Sequence, residues 1–236
     1  MQITEIAAQI LARAEQRAEI AAQNITNAST PGYRRRIGFS EMVAPSQPGD
    51  AIAAGQTRTG AAADFTAGQL IETGSPTDIA IAGQGFFAVR GNEAILYTRQ
   101  GQFRRDGEGR LTTAQGLVLQ SVDGGDVAVG DGPFAVAPDG TITRDGAPLA
   151  RIALVDFDDR NALVAGAGGA FSAGGAEPRA IAAPALRQGM IESSNVSMGD
   201  EMVAMMEAVR RAETGQRLVT TYDDLMGRAL NLFGQN

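Results

Sequence analysis

Along residues 2–26 the apolar positions Ile3, Ile6, Ala7, Ile10, Ala14, Ala18 and Ala21 recur at intervals of mostly three and four, and Arg13, Glu15, Arg17 and Glu19 fall largely elsewhere. That spacing predicts one amphipathic helix whose apolar stripe is narrow and built mainly from small residues. It stops in Asn27-Ala28-Ser29-Thr30-Pro31-Gly32-Tyr33, because Pro31 has no N–H to donate and Gly32 tolerates the turn that follows. Residues 197–233 carry the strongest period. Met202, Met205, Val209, Ala212, Gln216, Val219, Asp223, Met226, Leu230 and Phe233 stand alternately three and four apart, and only Gln216 and Asp223 are polar. The pattern predicts a second helix with a sustained a/d seam, on the order of 50 Å long at a rise of 1.5 Å per residue. Ser197-Met198-Gly199-Asp200 fits a capping box at its start.

Between the helices the period changes to two. Asp78-Ile79-Ala80-Ile81-Ala82 alternates, Phe86-Phe87-Ala88-Val89 follows a Gly-Gln-Gly step, and Ile95-Leu96-Tyr97-Thr98 follows a Gly91-Asn92 turn. Asp-Gly pairs at Asp106, Asp123, Asp131, Asp139 and Asp145 then separate short apolar or β-branched runs. Asp-Gly suits hairpin turns in which both central residues take positive φ, so an antiparallel β region is expected from about 76 to 157. Residues 158–185 are rich in Gly, Ala and Pro and read as irregular returns, and residues 34–75 show no clean period. The expected fold is α+β in four segments. These are an N-terminal helix (1–33), an extended linker (34–75), a β-rich domain (76–185) and a C-terminal helix (186–236).

Composition narrows the chemistry. At 236 residues and 44% hydrophobic content the chain has enough apolar material for a packed core. It contains no His, Cys or Trp, and all 20 basic residues are Arg. Thiol and imidazole catalysis, the usual zinc ligand sets, Schiff-base lysines and the P-loop lysine are therefore excluded. A net charge of -7 argues against a nucleic-acid partner, and the one basic cluster, Arg34 to Arg36, reads as a solvated loop. No apolar run is long enough to span a bilayer, and the opening residues lack the basic and apolar regions of a cleaved signal. No metal or cofactor is implied. Gly166-Ala167-Gly168-Gly169 fails the nucleotide-loop register because Phe171 stands where a glycine is needed. Asp156-Phe157-Asp158 begins like a calcium loop, but Arg160 occupies the third ligand position. Asp106, Glu108 and Asp123 are the acids available for hydrolysis, and they sit in turn positions where Asp is expected anyway.

Three motifs carry a resemblance. Ala22-Gln23-Asn24-Ile25-Thr26-Asn27-Ala28-Ser29-Thr30-Pro31-Gly32-Tyr33 resembles the N-terminal signature of bacterial flagellar rod, hook and hook-associated proteins, with Thr26 where the family usually has Ala. Leu186-Arg187-Gln188-Gly189-Met190-Ile191-Glu192-Ser193-Ser194-Asn195-Val196, followed by Glu201-Met202-Val203, resembles that family's C-terminal motif. Thr73 to Phe87 and Tyr97 to Phe103 are similar to its β domain. Length, and the stretch Leu149 to Phe157, are most like the proximal-rod members, with the distal-rod members close behind. Arg210-Arg211-Ala212-Glu213-Thr214-Gly215 departs from the pattern, which commonly has an aromatic before the Glu and no glycine.

The resemblance implies a non-enzymatic axial subunit of the flagellar basal body. Its terminal helices would form an intersubunit coiled-coil-like bundle, with the antiparallel β-rich domain outside. Ile3, Ile6, Ile10, Met202, Met205, Val209, Val219, Met226, Leu230 and Phe233 would pack the bundle. Asn24, Asn27, Thr30, Pro31, Gly32 and Tyr33 would shape the turn out of the first helix, and Gly189, Glu192, Ser194, Asn195 and Val196 would form the C-terminal motif. The implied partners are copies of the chain, other rod subunits and the flagellar type III export apparatus. Neither nucleic acid nor direct membrane insertion is expected. The implied location is the rod where it spans the periplasm, reached without a cleaved signal. A distal-rod or hook subunit, a secreted carboxylate-dependent cell-wall hydrolase and a self-contained adhesin or scaffold are the alternatives.

Overall fold

The two periodic stretches are helical: α1 spans Gln2–Thr26 and α2 spans Met198–Phe233 in the computed structural model, which describes residues 2–42, 57–91 and 94–233. The chain is thus α+β, with a helix toward each end of a β-rich centre, the class expected from its sequence. Contacts divide it into two compact units: Met1–Thr26, Arg36–Ala62 and Ser197–Asn236 in the first, Asn27–Arg35 and Ala63–Val196 in the second.

In the first unit, α1 and α2 pack on each other through small residues. Ala7, Ala14 and Ala21, spaced one heptad apart, are buried on α1, and Ala208 and Gly215 are buried on α2. A Cβ at Gly215 would stand 3.1 Å from Leu11 Cγ and 3.4 Å from Ile10 Cγ2. Gly215 therefore gives up helix propensity, about 1 kcal/mol relative to Ala, for close approach of the two helices. With Leu11 beside Gly215, the buried stretch from Ala7 to Asn24 matches the one from Glu201 to Gly215 only if the helices run antiparallel. The start of α2 rests on a backbone bond, with Glu201 N–H donating to the Ser197 carbonyl at 3.1 Å.

Also in this unit, Arg36–Met42 and Thr57–Ala63 pair as a two-stranded sheet, so the segment expected to be a linker contains strands. Gly60 lies under the ring of Phe39, and Gly38 beside Ile20 Cδ1. The mixture of Arg, Gly, Ala and Thr in Thr57–Ala63 gives no alternation to read, and Arg36–Met42 alternates only from Arg36 to Ser40, around Ile37 and Phe39.

The second unit is built on an antiparallel sheet. Its strands run in the order Val164–Ala165, Ala170–Ser172, Ile95–Thr98, Phe86–Arg90, Val118–Leu119, Leu111–Thr112 and Arg104–Arg105. Leu154–Asp156 joins Phe86–Arg90 to Arg179–Ala180 off this path. A separate meander comprises Ala135–Val136, Thr141–Arg144 and Ala147–Arg151. Two further pairs matter for the site: Ile79–Ile81 with Leu186–Gln188, and Leu70–Glu72 with Met190–Glu192. One side of the Phe86–Arg90 strand puts Phe87 and Val89 into a core with Ile79, Phe103, Leu111, Leu119 and Ile142. The other side puts Phe86 and Ala88 against Tyr97, Phe157 and Phe171. Residues 158–185, read as irregular, hold two 3-10 turns and three of these short strands.

The Asp-Gly pairs do not act alike. Only Asp145-Gly146 has both φ values positive, 52° and 81°, and it joins strands paired at Arg144 and Ala147. Asp145 is the only non-glycine residue of positive φ among the described residues. At Asp106 and Asp139 the side chain instead accepts backbone N–H groups ahead of it, from Glu108 and Arg110 in one case and Thr141 in the other. These are Asx-type turns, which draw on the same residue for a different reason. In the expected Gly91-Asn92 turn, position 92 lies outside the described residues.

Candidate functional site

The N-terminal motif builds a double turn. Thr30 N–H donates to the Asn27 carbonyl at 3.0 Å, Tyr33 N–H to the Thr30 carbonyl at 3.2 Å, and the Thr30 hydroxyl to Asn27 Oδ1 at 3.4 Å. Pro31 sits between them, its fixed φ suited to a turn. Gly32 has φ +69°, donates its N–H to the Glu192 carbonyl at 2.7 Å, and lies against the Arg99 carbonyl, where any Cβ would collide. Tyr33 is buried behind it. In the helical unit, Asn24 is fully buried and closes a two-way bridge to Arg36, its Nδ2 donating to the carbonyl at 2.9 Å and its Oδ1 accepting the N–H at 2.8 Å.

The C-terminal motif meets the N-terminal turn inside the β-rich unit. Gly189, at φ +76°, donates to the Asp78 carbonyl at 2.7 Å and accepts from the N–H groups of Thr73 and Gly74. Asn195 accepts Arg35 N–H at 2.7 Å and donates to the carbonyls of Asp64 and Thr66 at 2.9 and 3.0 Å. Only a carboxamide supplies both acceptor and donors at that point. The Thr66 hydroxyl and N–H in turn hold the Asp64 carboxyl below its ordinary range. Ser194 Oγ accepts the N–H of the half-buried Val196 at 3.2 Å, at the edge of α2.

At the centre of this clasp is Glu192. Its Oε1 accepts from Arg34 Nη2 at 2.7 Å and from Gly68 N–H at 2.8 Å, and its Oε2 lies 3.2 Å from Arg99 Nε. The side chains of Glu192 and Arg34 are 2% and 1% exposed. Arg34 is therefore not part of a solvated loop as its run of three arginines suggested. The buried Glu192 overrides the sequence pattern, since a carboxylate in an apolar surround needs a cation beside it. Burial draws the Arg99 guanidinium down to about 10, against the opposing pull of Glu192, so it stays charged at neutral pH. Arg34 and Arg99 are the site residues that sequence reasoning missed. The available signal was the acid in the C-terminal motif, which required a partner.

On α2 the covered seam is Glu201, Met205, Ala208, Ala212, Gly215, Val219 and Tyr222, all buried or half-buried and alternately four and three apart. Of the packing residues named from sequence, Met205 and Val219 lie in it, and Ile10 is half-buried on α1. Ile6, Met202, Val209 and Met226 remain about half exposed, and so do Val203 and Met206. The side chains of Ile3, Leu230 and Phe233 lie outside the described residues.

Of the acids considered for chemistry, Asp106, Glu108 and Asp156 are occupied otherwise. Arg110 bonds hold the Asp106 carboxyl below its usual range, whereas a general acid needs the opposite shift. Glu108 also pairs with Arg110, at 3.1 Å. Asp156 is gripped by Arg160 through Nε and Nη2 at 2.9 and 2.8 Å, and Asp159 caps a 3-10 turn. Among the described residues no helix is long and apolar enough to cross a membrane.

The family models for the flagellar hook protein FlgE/F/G D1 domain and the flagellar basal body rod FlgEFG protein C-terminal region match residues 80–147 and 187–232. The chain is 30% identical to the flagellar basal-body rod protein FlgF of Caulobacter vibrioides, over 92% of this chain and 91% of that protein. It is 31% identical to the protein of that name from Salmonella typhimurium, over 92% of each. The flagellar basal-body rod protein FlgG of Bacillus subtilis is 26% identical, over 91% of this chain and 92% of that protein. With both terminal motifs folded into one clasp and relatives matching nearly from end to end, the chain belongs to the flagellar basal-body rod protein family and is FlgF-like.

Proposed function

We propose that the chain is a structural subunit of the proximal rod that polymerises through its terminal helices into the axial drive shaft, its β-rich unit forming the outer layer. The observation that carries this reading is on α2. One face is covered by α1, while Met202, Met206 and Val209 form an adjacent apolar stripe about half exposed. A long helix with a second apolar flank calls for another helix, and Met side chains adapt to neighbours that differ in sequence. The partners are neighbouring copies and the rod proteins above and below. Heterologous contacts of this kind propagate as an open helix where the rotation between copies does not close a ring. The subunit reaches the rod through the type III export channel. Relatives named FlgG match over a similar length, which makes the distal rod the second reading.

Val209→Asp tests the stripe without touching the intrachain seam. Because Val209 is 49% exposed, the purified variant should unfold within about 0.5 kcal/mol of the parent. In a cell it should abolish swimming and leave basal bodies without a complete rod, since assembly would bury an unpaired carboxylate. Unimpaired motility would remove this face from the assembly.

A further inference from the structure

Within the helical unit a groove of about 460 Å3 runs between α1, the strand Arg36–Met42 and the middle of α2. Ile10, Ile20 and Phe39 give it an apolar wall, and three arginines, Arg13, Arg17 and Arg211, stand along it. Among the described residues no carboxylate lines it. Arg13 and Arg17 are exposed on one face of α1, four positions apart, and neither has an ion pair among the described residues. Arg211 has only Glu207, at 3.9 Å and open to water, a contact worth little. An apolar wall set among three unanswered positive charges fits a partner that brings acids and apolar side chains together.

The chain itself carries a segment of that chemistry. Over Met198–Val209, the start of α2, Asp200, Glu201 and Glu207 are acidic and no residue is basic, whereas from Arg210 to Phe233 four arginines meet three acids. Glu201 is turned inward, but Asp200 and Glu207 are exposed, and between them Val203 and Met206 are each about half exposed. Spacings of three and four put Asp200, Val203, Met206 and Glu207 on one side of the helix. We propose that the groove receives this segment from a second copy of the chain. Val203 and Met206 enter between Ile10, Ile20 and Phe39, while Asp200 and Glu207 meet Arg13 and Arg17. The inference rests on the rod reading and deepens it, naming the surface that faces the exposed side of α2. Groove and segment are different surfaces of one chain, so each copy offers one of each and the contact passes from copy to copy.

The chain has no Cys, so paired substitutions report on the contact without background. Thr214 lies at the groove and Val203 on the segment. Within one copy they stand roughly 16 Å apart along α2 at a rise of 1.5 Å per residue, too far for a short bis-maleimide to bridge. In basal bodies purified from cells that express Val203→Cys with Thr214→Cys, that reagent should join copies into dimers and larger species, and neither single variant should do so. Charge reversal is the second measurement. Arg13→Glu with Arg17→Glu should stop swimming, as should Asp200→Arg with Glu207→Arg, and the chain carrying all four should swim again. All four sites are exposed, so the purified variants should keep the parent's unfolding temperature. The unaltered chain missing from purified basal bodies would defeat the rod reading itself. The paired-cysteine chain present but left unjoined, or joined only to a protein of another mass, would overturn this proposal alone. Swimming untouched by either reversal, or lost in both and not regained in the combination, would do the same.

Discussion

Glu192→Ala is expected to lower the unfolding free energy of the β-rich unit by about 3–5 kcal/mol, the range for breaking a buried ion pair from one side. The size follows from what remains. Arg34 and Arg99 are both more than nine-tenths buried, and Glu192 is the carboxylate they share. Removing it also leaves Gly68 N–H without its acceptor. Glu192→Gln keeps the shape but not the charge: its amide oxygen can still accept from Arg34 Nη2 and Gly68 N–H while its NH2 group faces Arg99, so it should recover only part of the loss seen for Ala. Urea unfolding read by tyrosine dichroism measures both variants. A loss below about 1 kcal/mol, the level of an exposed pair, would mean that the triad is open to solvent.

Gly32→Val should be nearly as damaging, by more than about 3 kcal/mol, because two costs act together. The φ of +69° is disfavoured for any L-residue, by about 1–2 kcal/mol, and more for a β-branched one. The Cβ would also run into the Arg99 carbonyl, while the Gly32 N–H is tied to Glu192. Gly74→Val separates the two terms. Gly74 has a similar φ of +71°, but nothing lies within 4 Å of its would-be Cβ. Its variant should lose only the backbone term, and the difference between the two variants isolates the collision. Equal losses would show that the turn yields and that the clasp is softer than its geometry indicates.

Both predictions concern residues whose partners lie more than 60 positions away, and this decides what could be read from the sequence. The helices were legible because their pattern is local: Ala7, Ala14 and Ala21 repeat within α1, and the observed span Gln2–Thr26 follows that period. The β-rich centre was legible from alternation at Ile79–Ile81 and from its punctuating turns. The seam of α2 was legible in period but not in full register. Hydrophobicity favours Met202 and Val209, whereas close packing on α1 selects Ala208 and Gly215, which weigh little on any apolar scale. The strand at Thr57–Ala63 lacks alternation and that at Arg36–Met42 alternates too briefly, around Ile37 and Phe39, to mark a strand, so both owe their form to partners in space. Arg34 was misread for the same reason. Three consecutive arginines look solvated until the fold brings one of them to an acid 158 positions away. The motif residues were recognised as motifs, yet their roles as acceptors and donors, such as the three bonds of Asn195, emerge only once both ends of the β-rich unit meet.

The central claim is that this chain is an axial subunit whose α2 carries a second, intersubunit apolar face. The most direct measurement is electron cryomicroscopy of intact basal bodies from the organism that expresses the chain, at a resolution that shows side chains. The account predicts density for the subunit in the proximal rod, with Met202, Met206 and Val209 packed against helices of neighbouring subunits and the β-rich unit outside them. Basal bodies in which the chain is absent from the axis, or present with that stripe facing solvent, would contradict it.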